Sequence, residues 1–188
     1  MKHMELNELI EIVKKHKRIA IDGRCASGKS TLGKLLQKET GGNLIHMDDF
    51  FLRPEQRTNE RYATPGENVD HERFYEEVLT PLIKGKEFFF HPFDCNTMQI
   101  STNTIYVKQN AVTIVEGSYS LHPQLRDAYD LKIFMDIDPA IQLERLQKRN
   151  PEKMEDFKNK WIPYEELYFS QQRVEDICDI ILKNFDKN

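Results

Sequence analysis

The sequence predicts an α/β protein in three layers, α/β/α, on a mainly parallel five-stranded sheet, and three observations carry that prediction. Short apolar runs recur along the chain, each bounded by turn residues, as strands buried on both faces require. Segments with apolar residues at helical spacing lie between them. The first apolar run leads into a glycine-bearing turn and then a helix, the start of a β-α-β unit.

Taken in order, Leu6 to Val13 reads as a short helix, and Arg18-Ile19-Ala20-Ile21-Asp22 as a buried strand. Lys29 to Glu39 puts Leu32, Leu35 and Leu36 on one face of a helix that stops near Gly41-Gly42. Asn43 to His46 is a second strand, and His71 to Lys84 is amphipathic through Phe74, Val78 and Leu82. Glu87 to Phe90 and Ile100 to Val107 are expected to be extended, flanking a polar loop as a hairpin. Ala111 to Val115 and Leu131 to Met135 are buried strands. Asp138 at an N-cap and Pro139 at the first helical position open another helix. Glu152 to Arg173 reads as a long charged helical stretch with a solvated face, and Ile177 to Leu182 as the closing strand. With no repeat and no low-complexity linker, residues 1–188 are expected to form one domain. A hairpin excursion is placed at about 87–108 and a helical lid at about 145–160.

Composition narrows the function. Charged residues make up 31% and the net charge is -4, so no broad basic surface and no nucleic-acid partner is expected. No 18-residue apolar run occurs, and the N-terminal residues lack the apolar core of a secretory signal, so no membrane span and a cytoplasmic location are expected. Cys25, Cys95 and Cys178 form no CxxC pair and are expected to be reduced thiols.

Chemistry first appears at Gly23-Arg24-Cys25-Ala26-Ser27-Gly28-Lys29-Ser30, which satisfies G-x-x-x-x-G-K-[ST] between a strand and a helix. Glycine lets backbone amides wrap a phosphate, and the helix start directs N–H groups and the positive dipole end at it. Gly23, Ala26, Ser27, Gly28, Lys29, Ser30 and Thr31 are therefore the candidate ATP-binding residues. Lys29 lies over the terminal phosphates and the Ser30 hydroxyl is available to Mg²⁺. This predicts the P-loop NTPase version of the three-layer fold, with ligands beyond the carboxyl ends of the strands.

Reaction type needs further residues. No Asp is followed three positions later by Gly, and Asn159-Lys160-Trp161-Ile162 fails the guanine-reading NKxD, which argues against a GTPase. A kinase needs carboxylates to steer the acceptor proton and hold the metal. Asp48 and Asp49 follow the second strand, and Glu116-Gly117 follows the apolar run Val112 to Val115.

These segments, with His46-Met47-Asp48-Asp49-Phe50-Phe51, Val69-Asp70-His71, Phe93-Asp94 and Arg145 to Arg149, occur in the order and similar spacing found in uridine kinase. The chain resembles that family from about Arg18 to Leu182; phosphoribulokinase and pantothenate kinase belong to the wider group. The resemblance implies ATP and Mg²⁺ as cofactors, a small-molecule nucleoside substrate and a homo-oligomer. Asp48 is similar to the general base for a sugar 5′-hydroxyl, and Ser30 and Glu116 to the metal-holding pair. Asp70 resembles the carboxylate that grips the ribose hydroxyls, and Phe93 the aromatic that packs on the base. Arg145 and Arg149 open the lid, Arg149 being the better match to a phosphate-clamping arginine, so Asp48, Lys29 and Arg149 form the implied catalytic set. Phe51 stands where the family usually has Tyr, Val69 replaces an aromatic, and Met98 falls at a base-reading His. The lid lacks an Arg-Gly-Arg run, for which Lys153 or Lys158 are the available substitutes. The implied reaction is phosphorylation of a nucleoside, uridine or cytidine first. Nicotinamide riboside, pantothenate or a sugar remains open as acceptor, as does a regulatory protein that binds ATP without transfer.

Overall fold

A computed structural model describes residues 5–109 and 111–185. Strands β1 (Arg18–Gly23), β2 (Asn43–His46), β7 (Thr113–Glu116), β8 (Leu131–Asp136) and β9 (Ile180–Lys183) form one sheet in the order β2-β7-β1-β8-β9, and every pairing in it is parallel. This is the three-layer α/β arrangement expected from the sequence.

Period-two alternation sorts the strand residues onto two cores. Ile19, Ile21, Ile114, Ile133 and Met135 face α1 (Leu6–Val13) and α2 (Lys29–Thr40), whose Leu9, Val13, Leu32 and Leu36 complete that side. Ala20, Val115 and Phe134 face the other way, toward Phe50, Phe74, Val78, Tyr168 and Phe169. Both faces are covered, so the strands read as continuous apolar runs.

Two expected helices are interrupted for the same reason. The stretch from His71 is α4 (His71–Phe74), a π turn at Tyr75–Leu79, then α5 (Thr80–Ile83). The charged stretch holds α7 (Met154–Asp156), a π turn at Phe157–Trp161, then α8 (Ile162–Gln171). In each, a proline follows the π turn. Thr80 N–H reaches back to Tyr75 C=O before Pro81, and Ile162 N–H to Phe157 C=O before Pro163. Proline offers no N–H and its ring crowds the preceding turn, and the wider π turn relieves both demands.

α3 (Asn59–Ala63) precedes the first of these stretches, and four short strands follow it. β3 (Phe88–Phe90) pairs antiparallel with β6 (Ile105–Val107), and β4 (Phe93–Asp94) with β5 (Gln99–Ile100). Pro92 separates β3 from β4, so the excursion is a hairpin interrupted into two nested antiparallel ladders. α6 (Pro139–Arg149) starts at Asp138, whose side chain accepts the N–H groups of Ala140 and Ile141. The final strand starts at Ile180, later than expected, because a 3-10 turn occupies Glu175–Ile177.

Candidate active site

The turn after β1 is shaped by close approach. Gly23 has φ +137°, and a Cβ there would lie 2.2 Å from Met135 O, so only glycine lets the turn leave β1 against β8. Gly28 then opens α2, with the N–H groups of its first turn directed out of the strand ends. The Lys29 ammonium is folded onto the turn, donating to Gly23 O at 2.6 Å and Arg24 O at 3.0 Å.

Beyond the carboxyl ends of β1, β2 and β7 lies a cavity of about 1020 Å³. It gathers Ala26, Gly28, Lys29, Ser30 and Thr31 from the glycine turn, Asp48 and Phe51 from the segment after β2, and Glu116 from the end of β7. Met98 from the β4–β5 turn and Arg145 and Arg149 from α6 complete the set, with Lys153 beside them. Residues more than a hundred positions apart in the chain thus share one wall.

Three carboxyl groups line the cavity, Asp48, Glu116 and Glu165, and Asp49 lies next to the first of them outside the lining. Burial pushes the Asp48 carboxyl up from its ordinary value, and neighbouring Glu116 adds to the rise while Lys29, His46 and Arg149 oppose it. Asp49 is raised by burial as well. Glu116 is buried and hydrogen-bonded to His46 Nδ1, an interaction that raises the His46 pKa. Arg145 Nη1 donates to Ala26 O at 3.2 Å, tying α6 to the glycine turn, while Arg149 is exposed at the rim and donates to Asn150 Oδ1 at 2.9 Å.

The donor set suits a hard divalent cation. Ser30 is an exposed hydroxyl at the helix start, and Asp48 and Glu116 bring carboxylate oxygens to the same cavity. Among the described residues, a second cluster, Glu67, His71 and His122, has ligand atoms within 4.8 Å of one another. It is built as a proton-held group. His122 Nδ1 accepts the Gln124 N–H at 3.2 Å, so the neutral ring carries its proton on Nε2, the atom facing Glu67. A metal-bound imidazole has the opposite requirement, an acceptor for its second nitrogen.

Several expected residues, Gly23, Ser27, Asp70 and Phe93 among them, are not in the cavity lining. Gly23 and Ser27 are buried beneath the turn. Asp70 is fully buried as the N-cap of α4: Oδ1 accepts the Arg73 N–H at 3.2 Å and Oδ2 pairs with Arg53 Nε at 3.1 Å. Its neighbours Asn68 and Val69 line the cavity. Phe93 is buried in β4, and Arg57, whose guanidinium lies 5.9 Å from that ring's centre, reaches the cavity where Phe93 does not. Lys153 lines the cavity and Lys158 does not.

Sequence reasoning passed over several lining residues. Glu165 lies in a stretch read as a solvated face, yet it is buried, accepting the Cys25 N–H at 2.8 Å and the Ser118 hydroxyl at 2.6 Å. Tyr62, Tyr119 and Trp161 also line the cavity, and no local pattern distinguishes them from core aromatics. Arg24 carries a bidentate pair to Glu166 at 2.7 and 3.0 Å and a second pair to Asp136 at 2.7 Å. Buried Asp22 had a signal, a charge ending an apolar strand, the same that marked Glu116.

No family model matches the chain. The chain is 30% identical over 148 residues to the uridine kinase of Streptococcus agalactiae serotype V, a match covering 72% of this chain and 68% of that one. It is 28% identical over 141 residues to the uridine kinase of Clostridium perfringens, covering 70% and 67%. Among solved structures, a Bacillus stearothermophilus protein described as a possible uridine kinase superposes with a TM-score of 0.66 at 21% identity, over 95% of this chain and all of that one. D-glycerate 3-kinase from Cryptococcus neoformans gives 0.60 at 16% identity, over 86% and 87%. The two superpositions show a common fold.

Proposed function

Because the chain belongs to the uridine kinase family and is an ATP-dependent kinase of a nucleoside or other small substrate, we propose that it phosphorylates the 5′-hydroxyl of a nucleoside, uridine or cytidine first. One observation carries the reading: the glycine turn and Asp48 line the same cavity, so an anion receptor and a candidate general base share one space.

The roles follow from placement. The amides of Gly28 to Thr31 and the Lys29 ammonium hold the polyphosphate, and Lys29 exchanges its carbonyl partners for phosphate oxygens when ATP enters. Asp48, beside Lys29 and Arg149 in charge and raised by burial, accepts or steers the hydroxyl proton. Ser30 and Glu116 would hold Mg²⁺, which would neutralise charge on the phosphate oxygens. Arg145 and Arg149 approach from α6 to balance charge spreading over the transferred group. Phe51 and Met98 offer apolar contact to the acceptor.

Two residues favour a second reading, a different hydroxyl acceptor such as nicotinamide riboside, pantothenate or a sugar. Asp70 is engaged by Arg53 and Arg73 outside the cavity wall, and Met98 presents no hydrogen-bonding group to a base edge. A site that reads a substrate by hydrogen bonds discriminates far more than an apolar one. An acceptor panel in a coupled ADP-release assay separates the readings. Uridine or cytidine is expected to give the highest kcat/KM; a higher value for nicotinamide riboside, pantothenate or a sugar replaces the acceptor assignment, and acceptor-independent ADP release alone refutes transfer.

A further inference from the structure

Asp22 is the penultimate residue of β1, directly before Gly23 of the glycine turn, and its side chain is wholly buried. Its carboxylate takes four donors. Oδ1 accepts the N–H of Gly23 at 2.7 Å and of Tyr119 at 3.2 Å. Oδ2 accepts the N–H of Leu121 at 2.9 Å and the hydroxyl of Tyr168 at 2.9 Å. The donors come from three separate pieces of the fold: the start of the phosphate-binding turn, the turn following β7, and α8.

The turn following β7 is the part that needs holding. Gly117 has φ +139°, with a would-be Cβ 2.8 Å from Met47 Cβ, and Tyr119 has φ +73°. A bulky side chain in the left-handed region is strained and persists only where its surroundings impose it. The residues so constrained are placed at the cavity: Glu116 enters the turn, Ser118 donates to Glu165, and Tyr119 lines the wall. Ser120 Oγ, bonded to Ile21 O at 3.1 Å and Gly117 O at 2.8 Å, fastens the same turn to β1 a second time.

We propose that Asp22 is a positioning residue for phosphoryl transfer: by binding the phosphate turn and the 117–121 turn to one carboxylate, it fixes Glu116 and Tyr119 relative to the nucleotide. The proposal rests on the kinase reading of the cavity and extends it to a residue that touches neither substrate. The amides that hold polyphosphate belong to the glycine turn itself, so nucleotide binding survives loss of this tether. Alignment of the metal and the acceptor with the γ-phosphate does not, and a displacement of about 1 Å costs on the order of 10²-fold in rate.

The test compares Asp22→Asn with the wild type at a temperature well below the variant's melting point. Asn keeps one acceptor oxygen and turns an NH₂ against an N–H donor, so the tether fails on one side. Expected are a kcat 10- to 100-fold lower, a several-fold higher half-saturating Mg²⁺ concentration, and an ATP Kd by calorimetry within about twofold of wild type. Tyr168→Phe removes one donor and leaves the ring; it is expected to show the same pattern at several-fold size and decides the matter if Asp22→Asn does not fold. Variants that melt earlier but keep wild-type kcat and Mg²⁺ half-saturation overturn the positioning role, leaving a purely structural carboxylate. A wild type that transfers phosphate to no acceptor in the panel overturns the kinase reading instead.

Discussion

Glu165, from the middle of α8, accepts the backbone N–H of Cys25 in the phosphate-binding turn at 2.8 Å. The next residue, Glu166, holds the Arg24 guanidinium with both carboxylate oxygens. Consecutive acidic residues thus clasp consecutive residues of the turn, and the Glu165 carboxylate lines the cavity proposed to receive the polyphosphate.

That carboxylate opposes a triphosphate. Glu165→Gln keeps an acceptor for the Cys25 amide and removes the charge, so ATP is expected to bind up to about tenfold more tightly, with little change in melting temperature. Calorimetric titration with ATP measures it. Unchanged or weaker binding would show that charge at this position does not face the phosphates.

Asp48 and Lys29 are separable by binding. Asp48→Asn is expected to lower kcat by about 10²–10⁴-fold while ATP Kd stays near wild type, since its proposed role is at the acceptor proton. Lys29→Ala loses transfer and ATP affinity together. Steady-state kinetics paired with nucleotide titration distinguishes them, and equal turnover by Asp48→Asn removes that residue from the mechanism.

His122 makes stability depend on pH. Burial, with His71 stacked at 4.0 Å between ring centres, lowers its pKa from 6.5 to about 4, against the opposing pull of Glu67. The folded state therefore binds this proton less readily than the unfolded chain. The His122 contribution is complete above about 6.5 and is lost as pH falls toward 4, about 3 kcal/mol in all. His122→Gln cannot titrate, so urea unfolding midpoints of the variant should vary less than wild type across that window. Parallel curves would assign the acid loss to other groups.

The three thiols should differ sharply in reactivity. Burial pushes the Cys25 thiol up to about 12, with Glu165 beside it adding to the rise. At pH 8 roughly one molecule in 10⁴ carries the thiolate there. Cys178 is also raised by burial, whereas Cys95 is exposed on the β4–β5 turn. A disulfide-exchange reagent is expected to label one thiol quickly in the native protein and three after denaturation. Rapid native labelling of Cys25 would contradict the clasp that covers it.

What the sequence determined, it determined through local rules. Strands Arg18–Gly23, Thr113–Glu116 and Leu131–Asp136 were legible because both faces of the sheet are covered, leaving near-continuous apolar runs. The glycine turn was legible because Gly23 and Gly28 satisfy a backbone demand no other residue meets cheaply, and Glu116 because a charge closes an apolar strand. The tertiary structure alone decided what lies opposite them. Glu165 looked like one more charge on a solvated helix until α8 packed it against Cys25, 140 residues away. Asp70 satisfied a helix cap and an arginine before any ligand, and Asp22 became a four-donor anchor only when two distant turns met at the end of β1. Spacing along the chain fixes which groups share an element. Which groups share a cavity depends on packing between elements, and no local pattern records that.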